Sequence, residues 1–384
     1  MKSDENKKDV AINEKTGEKL AILHKLTLRH KIIIALGAVL CIVIILLASA
    51  YGVFLHYYNK MNVVSINDND EIVTAIDYDE DDLNDKELTD EERKQLEQLY
   101  NEGKSETDGD DTAMKIDNEN VTNILLLGTD SREKGNKRSR TDSMIILSID
   151  KKNNKLTMTS VLRDTYVKIP NVGKNRLNAA FIFGGPKLLF KTFDENFGIH
   201  LDKYVQIDFY NFIDMVDAVG GVDIKLTPDE IKLMNKSYIS SINKSLKKKS
   251  NSNMIKVKKS GVYHLNGVQA LAYSRIRYIG TDFARTERQR IVIGEIIKKT
   301  KKLSVSELNS LADIVLPMVS TNLKKGEVMS LLMNAKDLLN YKVVNGRMPI
   351  DGSYKYMKVR GASVLGVNFD QNRKYWYDLV YGDN

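Results

Sequence analysis

Apolar and polar positions divide the chain into three stretches of different character. Residues 32–55 form an uncharged run, most of it Ile, Leu, Val and Ala, with no amphipathic period. Its 24 residues, at 1.5 Å of helix each, span roughly 36 Å, enough for a hydrocarbon core of about 30 Å. The pattern predicts one transmembrane helix. Ala48-Ser49-Ala50 has the small-x-small form of a cleavage site, but the apolar stretch exceeds the roughly 7–15 residues of a signal peptide and continues through Val53, Phe54 and Leu55, so a retained anchor is expected. Residues 56–120 become polar, and from residue 121 onward short apolar runs alternate with amphipathic ones.

In that last stretch, residues 121–128 and 143–149 read as buried strands, and a Lys-Lys-Asn-Asn turn at 151–154 leads into a third strand over 156–161. Gly184-Gly185-Pro186 precedes a helix with Leu189, Phe193 and Phe197 at i, i+4 and i+8, Pro186 suiting its first position. A strand over 204–207, an amphipathic helix over 209–218, a Gly220-Gly221 stop and a strand over 222–226 follow. Residues 242–260, rich in Lys, Ser and Asn, read as a solvated insertion; helices are expected over 267–273, 283–301, 306–319 and 325–339. Strands mixed with helices in this way predict an α/β domain with helices on both faces of a sheet.

Charge sharpens the division. Residues 1–67 carry a net +4, residues 68–120 carry 5 basic and 21 acidic side chains, and residues 121–384 carry a net +19. The basic N-terminal flank of the apolar run puts residues 1–31 in the cytoplasm and everything beyond about Tyr57 outside. The acidic segment 56–120 is an extracellular stalk that self-repulsion keeps extended, interrupted at most by one short helix capped at Thr89. The domain that follows seeks anions. Nucleic acid is excluded, since the basic block lies outside and no helix-turn-helix or stacking motif is present. The single cysteine, Cys41, sits in the apolar run, so the exported part holds no disulfide.

Two clusters could do chemistry. In the first, Asp130 and Arg132 follow the first strand, and Arg138, Arg140, Asp142 and Ser143 lead into the second. Two carboxylates there either hold a hard cation such as Mg²⁺ or are turn aspartates beside solvated arginines. In the second, Arg275 and Arg277 share a face of an extended segment, Asp282 follows, and Arg285, Arg288 and Gln289 fall at i, i+3 and i+4 of a helix start. Positive charge there opposes the helix dipole and points to a nearby anion; the alternative is a basic surface helix pairing with Glu287 and Glu295. Phe181, Phe183, Leu189, Phe193 and Phe212 read as ordinary core at helix and strand spacing or as the lining of an apolar pocket. His200 and His264 lie outside both clusters, so histidine acid–base catalysis is not expected.

The segments 123–132, 140–143, 163–166, 178–180 with Gly184-Gly185, 205–222 ending Val-Gly-Gly-Val, Leu265-Asn-Gly267 with Gln269-Ala270, and 273–289 resemble, in order, the motifs of the LytR-CpsA-Psr family. The resemblance implies an α/β/α sandwich with a mixed central sheet over about 121–350, leaving 351–384 as a C-terminal extension of unknown role. It implies an extracellular phosphotransferase that moves a glycopolymer from a polyprenyl-pyrophosphate carrier to a peptidoglycan hydroxyl, with an apolar pocket for the lipid tail, which would make a lining of Phe181, Phe183, Leu189, Phe193 and Phe212 a lipid pocket. By the same resemblance, Asp130 and Asp142 are Mg²⁺-side carboxylates, and Arg140, Arg163, Arg275, Arg277, Arg285 and Gln289 contact pyrophosphate, while Asp282 is an acid whose role stays open between metal shell and base. A non-catalytic receptor or a pyrophosphatase would use the same residues. Leu162, Ser143 and Ala284 stand where the family often has Pro, Thr and Gly.

Overall fold

The computed structural model describes residues 51–66, 89–91, 94, 95, 98, 120–129, 139–256, 259–359 and 361–382. The expected tail 1–31, nearly all of the apolar run 32–55, most of the stalk 56–120, and Asp130 lie outside them. Residues 51–58 are helical, and among the described residues no helix is long and apolar enough to cross a membrane.

From residue 58 the chain builds a central mixed sheet. Its strands are β1 (Asn62–Val63), β2 (Val121–Thr129), β3 (Thr141–Asp150), β4 (Lys155–Val161), β7 (Tyr204–Asp208), β10 (Ser320–Thr321) and β11 (Lys342–Met348). The order is β1-β10-β7-β2-β3-β4-β11. The expected hairpin closes through Asn154 at φ 49°, and β3 pairs antiparallel with both β2 and β4. β7 runs parallel to β2, and β11 parallel to β4. The carboxyl ends of β2, β4, β7 and β11 therefore share one edge with the start of β3, the edge at which α/β sheets place ligands.

Alternation along the central strands fills both faces of the sheet. Leu125, Leu127, Met144 and Ile146 face α1 (Ala179–Phe197) and the C-terminal helix Phe369–Tyr381; Ile124, Leu126, Leu147 and Ile149 face a layer that includes Leu331 and Leu338. Gly184 and Gly185 leave helical geometry, the latter at φ 61°, and the helix restarts at Pro186, whose missing N–H costs nothing there. Residues 351–384 are not an appendage: β12 (Tyr354–Val359) pairs with β13 (Ala362–Val367), and Trp376 and Val380 are buried in the main core.

A second core lies beside the sheet. It is built from α2 (Phe209–Ala218), the hairpin β8 (Val222–Leu226) with β9 (Gly261–Leu265), α3 (Pro228–Leu233), α4 (Ser240–Ser245), α5 (Gly267–Ser274) and Val292 of α6 (Asp282–Thr300). The 265–270 motif is a helix start: Asn266 and Gln269 form a reciprocal capping box. Gly267 is required because a Cβ there would lie 2.2 Å from Ile213 O, so α5 packs directly on the α2 backbone. The expected helix over 325–339 breaks at Asn334 into two pieces, and that over 306–319 tightens into a 3₁₀ turn at Leu316–Met318.

Candidate active site

One cleft at the carboxyl edge of the sheet, between the two cores, brings together described residues of both sequence clusters; Asp130, Arg132 and Arg138 lie outside the described residues. Arg140 and Asp142 enter it from the start of β3, Arg163 and Asp164 from the end of β4, and Arg176 and Asn178 from the turn into α1. Ser274, Arg275, Arg277 and Tyr278 come from the end of α5 and the loop after it, and Arg285 and Gln289 from α6. All six residues expected to contact pyrophosphate line this one cavity. Arg176, Asp164 and Tyr278 were not singled out in the sequence; Arg176 lies in a short hairpin, β5 (Tyr166–Ile169) with β6 (Gly173–Arg176), that carries no motif signal.

Within the cleft the charges are organised rather than scattered. Arg163 Nη1 donates to Asp142 Oδ1, and its Nε lies 3.4 Å from Asp164 Oδ2. Arg176 Nε lies 3.6 Å from the other Asp164 oxygen and anchors to Ser363 O in β13. Burial by itself would push the Asp142 carboxyl up, but Arg163, Arg285 and Arg277 outweigh it and hold it below the usual carboxylate range. It stays ionised.

Arg285 is the exposed nerve of the arrangement. Its side chain is almost wholly buried and its Nε has no hydrogen-bond partner among the described residues. Asp282, the first residue of α6, is 3.5 Å from its Nη2. Burial first, then the charges of Arg163 and Arg277, push its pKa down to about 10. A guanidinium this short of negative charge in a cleft of six arginines is built to receive an anion.

The helix face read in the sequence separates in three dimensions. Arg285 and Gln289 face the cleft, where Gln289 Oε1 accepts from Ser143 Oγ at 3.0 Å. Arg288 turns away: its Nε lies 3.1 Å from Glu230 Oε1, and its two terminal nitrogens donate to Ile276 O and Ile279 O. Neither Glu287 nor Glu295 pairs with Arg285 or Arg288; Glu295 pairs with Lys298. Asp282 does not line the cavity and acts on it through Arg285.

An apolar pocket adjoins the cleft, walled by Phe209, Tyr210, Ile213, Ile242 and Leu271. Phe209, Ser241 and Arg275 border both spaces, with the Arg275 guanidinium 4.7 Å from the centre of the Phe209 ring. Phe181, Phe183, Leu189 and Phe193 line neither: all four are closed into the main core, and Phe212 packs against the second core. The helix period that singled them out records burial, whereas the pocket is walled from α2, α4 and α5. Leu162, in place of proline, uses its N–H to donate to Met348 O at 2.9 Å, a bond proline could not make.

Among the described residues no three acidic, histidine or cysteine side chains form a metal cluster. The donor set nonetheless suits Mg²⁺, which binds through one or two carboxylates together with substrate phosphates: Asp142 is ionised and Arg163 engages only its Oδ1 among the described donors.

The LytR_cpsA_psr family pattern matches residues 60–380. Regulatory protein MsrR of Staphylococcus aureus is 32% identical over 273 residues, 70% of this chain and 77% of that protein. The polyisoprenyl-teichoic acid–peptidoglycan teichoic acid transferase TagU of Bacillus cereus is 32% identical over 253 residues, 64% of this chain and 75% of that one. Bacillus subtilis TagT bound to LIIa-WTA is similar with TM-score 0.53 and 25% identity, covering 68% of this chain and 91% of that chain. The same protein with bound octaprenyl pyrophosphate lipid matches with TM-score 0.50 and 24% identity, covering 68% and 91%. The family match takes in both cores, every described cleft arginine and the C-terminal helix, and the chain belongs to the LytR-CpsA-Psr family.

Proposed function

We propose that the chain is a phosphotransferase, anchored by residues 32–55 with its cleft outside the membrane, that transfers a glycopolymer from a polyprenyl-pyrophosphate carrier to a peptidoglycan hydroxyl. The observation that carries this reading is the buried Arg285, whose Nε finds no hydrogen-bond partner among the described residues while Asp282 reaches its Nη2 only at 3.5 Å, in a cleft shared with Arg140, Arg163, Arg176, Arg275 and Arg277. A pyrophosphate supplies the negative charge these groups lack. The small pocket opening beside Arg275, about 80 Å³ and walled by Phe209, Ile213, Ile242 and Leu271, has room for the first carbons of the carrier lipid next to its pyrophosphate. The reading is supported by the transferase name of the TagU relative and by the octaprenyl pyrophosphate bound in TagT.

In the transfer, the acceptor hydroxyl oxygen forms a new bond to the sugar-side phosphorus and gives up its proton, while the bond from that phosphorus to the bridging oxygen breaks; polyprenyl monophosphate leaves and the proton passes to it or to solvent. Catalysis of this kind asks mainly for positioning and charge neutralisation. Arg275 and Arg277 present guanidinium groups from a loop that Arg288 holds, while Arg163 comes from the turn after β4, fixed by Asp142 and Asp164, and Arg285 from the first turns of α6. Mg²⁺, held by Asp142 and Asp130, would neutralise further phosphate charge.

The test is to incubate the full chain with a short-chain polyprenyl-pyrophosphate glycan, Mg²⁺ and peptidoglycan fragments. Glycan joined to the fragments through a phosphodiester, with one polyprenyl phosphate released per product, is the expected result. Tight binding without release would make the protein a receptor, and release without joined product would make it a pyrophosphatase.

A further inference from the structure

Between Glu230 and Asp282 there is no acidic residue, while the segment carries 11 lysines and arginines. Arg275 and Arg277 serve the cleft. Five of the lysines, Lys247, Lys248, Lys249, Lys256 and Lys259, are exposed on the loop between α4 and β9, Lys244 is exposed in the last turn of α4, and none of the six makes an ion pair among the described residues.

The sequence suggests a solvated insertion here, yet the loop is fixed by buried polar groups. Asn243, fully buried on α4, donates from Nδ2 to Ser250 O and Ser252 O and accepts on Oδ1 from Asn253 Nδ2 at 2.9 Å. Asn235 brackets Ile255, donating to its carbonyl and accepting from its N–H, each at 2.9 Å. Asn266 and Gln269, the capping box of α5, reach across to Asn253. A loop held at this many points keeps its lysines close together against their mutual repulsion.

The position of the loop says what the lysines meet. Along α4, Ser241 borders both the cleft and the apolar pocket, Ile242 and Ser245 border the apolar pocket alone, and the lysine run begins where the helix ends. The lysines thus stand at the end of the apolar pocket that points away from the arginine cleft. Apolar side chains are exposed among them: Met254 within the loop, and Val262 on β9 with 71% of its surface accessible. Exposed lysines mixed with exposed apolar groups are the chemistry of a bilayer interface, where ammonium groups meet lipid phosphates and apolar side chains enter the acyl boundary.

We infer that residues 244–256, with Lys259 and Val262, form a membrane-contact surface that rests on anionic lipid headgroups and turns the apolar pocket toward the bilayer, so that the carrier lipid reaches it without crossing water. The inference rests on the anchored reading of residues 32–55. A dissolved anionic polymer is the competing occupant; the exposed Met254 and Val262 favour the bilayer, since a polyanion would gain nothing from them.

The test uses the full chain carrying Cys41→Ser and Ser250→Cys, labelled at residue 250 with a fluorescent donor and reconstituted into vesicles with a headgroup acceptor. In phosphatidylglycerol-containing vesicles energy transfer is expected to exceed that in pure phosphatidylcholine. Replacing Lys247, Lys248 and Lys249 with Gln, or raising salt to about 0.5 M, is expected to remove about half or more of the difference. A chain that floats with both kinds of vesicle but gives equal transfer overturns this inference alone. Failure to float with either overturns the anchor and the inference together. Equal transfer combined with lysine-dependent binding of soluble polyphosphate assigns the loop to a dissolved polymer and likewise overturns it. Glycopolymer transfer, assayed separately in detergent, does not enter these outcomes.

Discussion

Arg288 Nε lies 3.1 Å from Glu230 Oε1, joining α6 to the first turn of α3 across the second core. Glu230 Oε2 is engaged as well, accepting from Thr227 N and Thr227 Oγ1 in a capping box. The other end of Arg288 holds the carbonyls of Ile276 and Ile279. One buried ion pair thus fixes a helix start and the loop that presents Arg275, Arg277 and Tyr278.

Removing one partner of such a pair leaves an uncompensated buried charge, which costs about 3–5 kcal/mol. Glu230→Ala, which strands the Arg288 guanidinium, is expected to lower stability by about that amount, and Arg288→Met by somewhat less, because the stranded Glu230 carboxylate keeps the Thr227 N–H and hydroxyl as donors. Arg288→Met should also weaken pyrophosphate binding although the residue never touches the cleft. Urea denaturation and pyrophosphate titration of the two variants check both. Unchanged binding in a folded Arg288→Met would remove its positioning role.

Trp376 is 1% exposed and packs edge-on against Tyr377 and Tyr381 beneath the sheet. Trp376→Ala is expected to cost about 3–5 kcal/mol. Gly346→Ala is expected to cost less, because the atom its Cβ would meet at 2.3 Å is the far end of the partly exposed Leu379 side chain, which can turn away. Thermal melts of the two variants test whether the last 30 or so residues are core, as their packing requires.

How far the sequence could be read follows from where each signal is local. The β2–β3–β4 meander was legible because alternation and an Asn-Asn turn are encoded within a few residues. The arginines were legible as motif members, and they meet in one cleft. Arg288 was misplaced with the cleft residues because helix spacing cannot tell a residue facing the ligand from its neighbour 100° around the helix, where the deciding partner, Glu230, is 58 residues away. The tail was unreadable for a related reason: β12, β13 and the last helix have short or weakly patterned apolar faces, and their partners lie in α1 and the loop after β4. The lysine loop looked solvated because asparagines that pin a backbone and asparagines in solvent have the same composition.

Arg285 carries a prediction of unusual sign. Its folded pKa, about 10, is below that of an unfolded arginine, so holding its charge costs stability at every pH below about 10, and the cost is relieved as pH rises through that value. Arg285→Met is expected to stabilise the free protein at neutral pH by on the order of 1–3 kcal/mol while weakening pyrophosphate binding at least about tenfold. Pyrophosphate should raise the thermal midpoint of the wild type and raise that of the variant by clearly less at the same concentration. A variant less stable than wild type would show that Asp282 already satisfies this charge.

Asp142 runs the other way. Its carboxyl is held below the ordinary range by Arg163, Arg285 and Arg277 against the opposing effect of burial, so its contribution to stability is present above the unfolded carboxylate pKa and is lost as pH falls through the folded one. Asp142→Asn keeps the shape and removes the charge. It is expected to flatten the fall in thermal midpoint below about pH 4 and to reduce Mg²⁺-dependent transfer by about 10–100-fold. Identical Mg²⁺ titration curves for the variant and the wild type would take Asp142 out of the metal site.

The last prediction separates an enzyme from a receptor through Arg275. Its guanidinium borders both the cleft and the apolar pocket and lies 4.7 Å over the Phe209 ring, where the pyrophosphate of a lipid carrier would meet its first apolar carbons. Arg275→Lys retains the charge and gives up the planar fork, so a ground-state pyrophosphate loses one bidentate contact and keeps most of the Coulomb attraction. In the transition state the bridging oxygen and the departing phosphate gain charge, and a contact that strengthens there is worth more to rate than to binding. Arg275→Lys is therefore expected to lower the transfer rate by on the order of 10²–10³ while weakening carrier binding by about tenfold or less. Parallel titration and single-turnover transfer with a short-chain polyprenyl-pyrophosphate glycan give the two numbers. Equal losses in both would mean that Arg275 holds the carrier without distinguishing its transition state, and catalytic charge stabilisation would then fall to Arg163, Arg277 and Arg285.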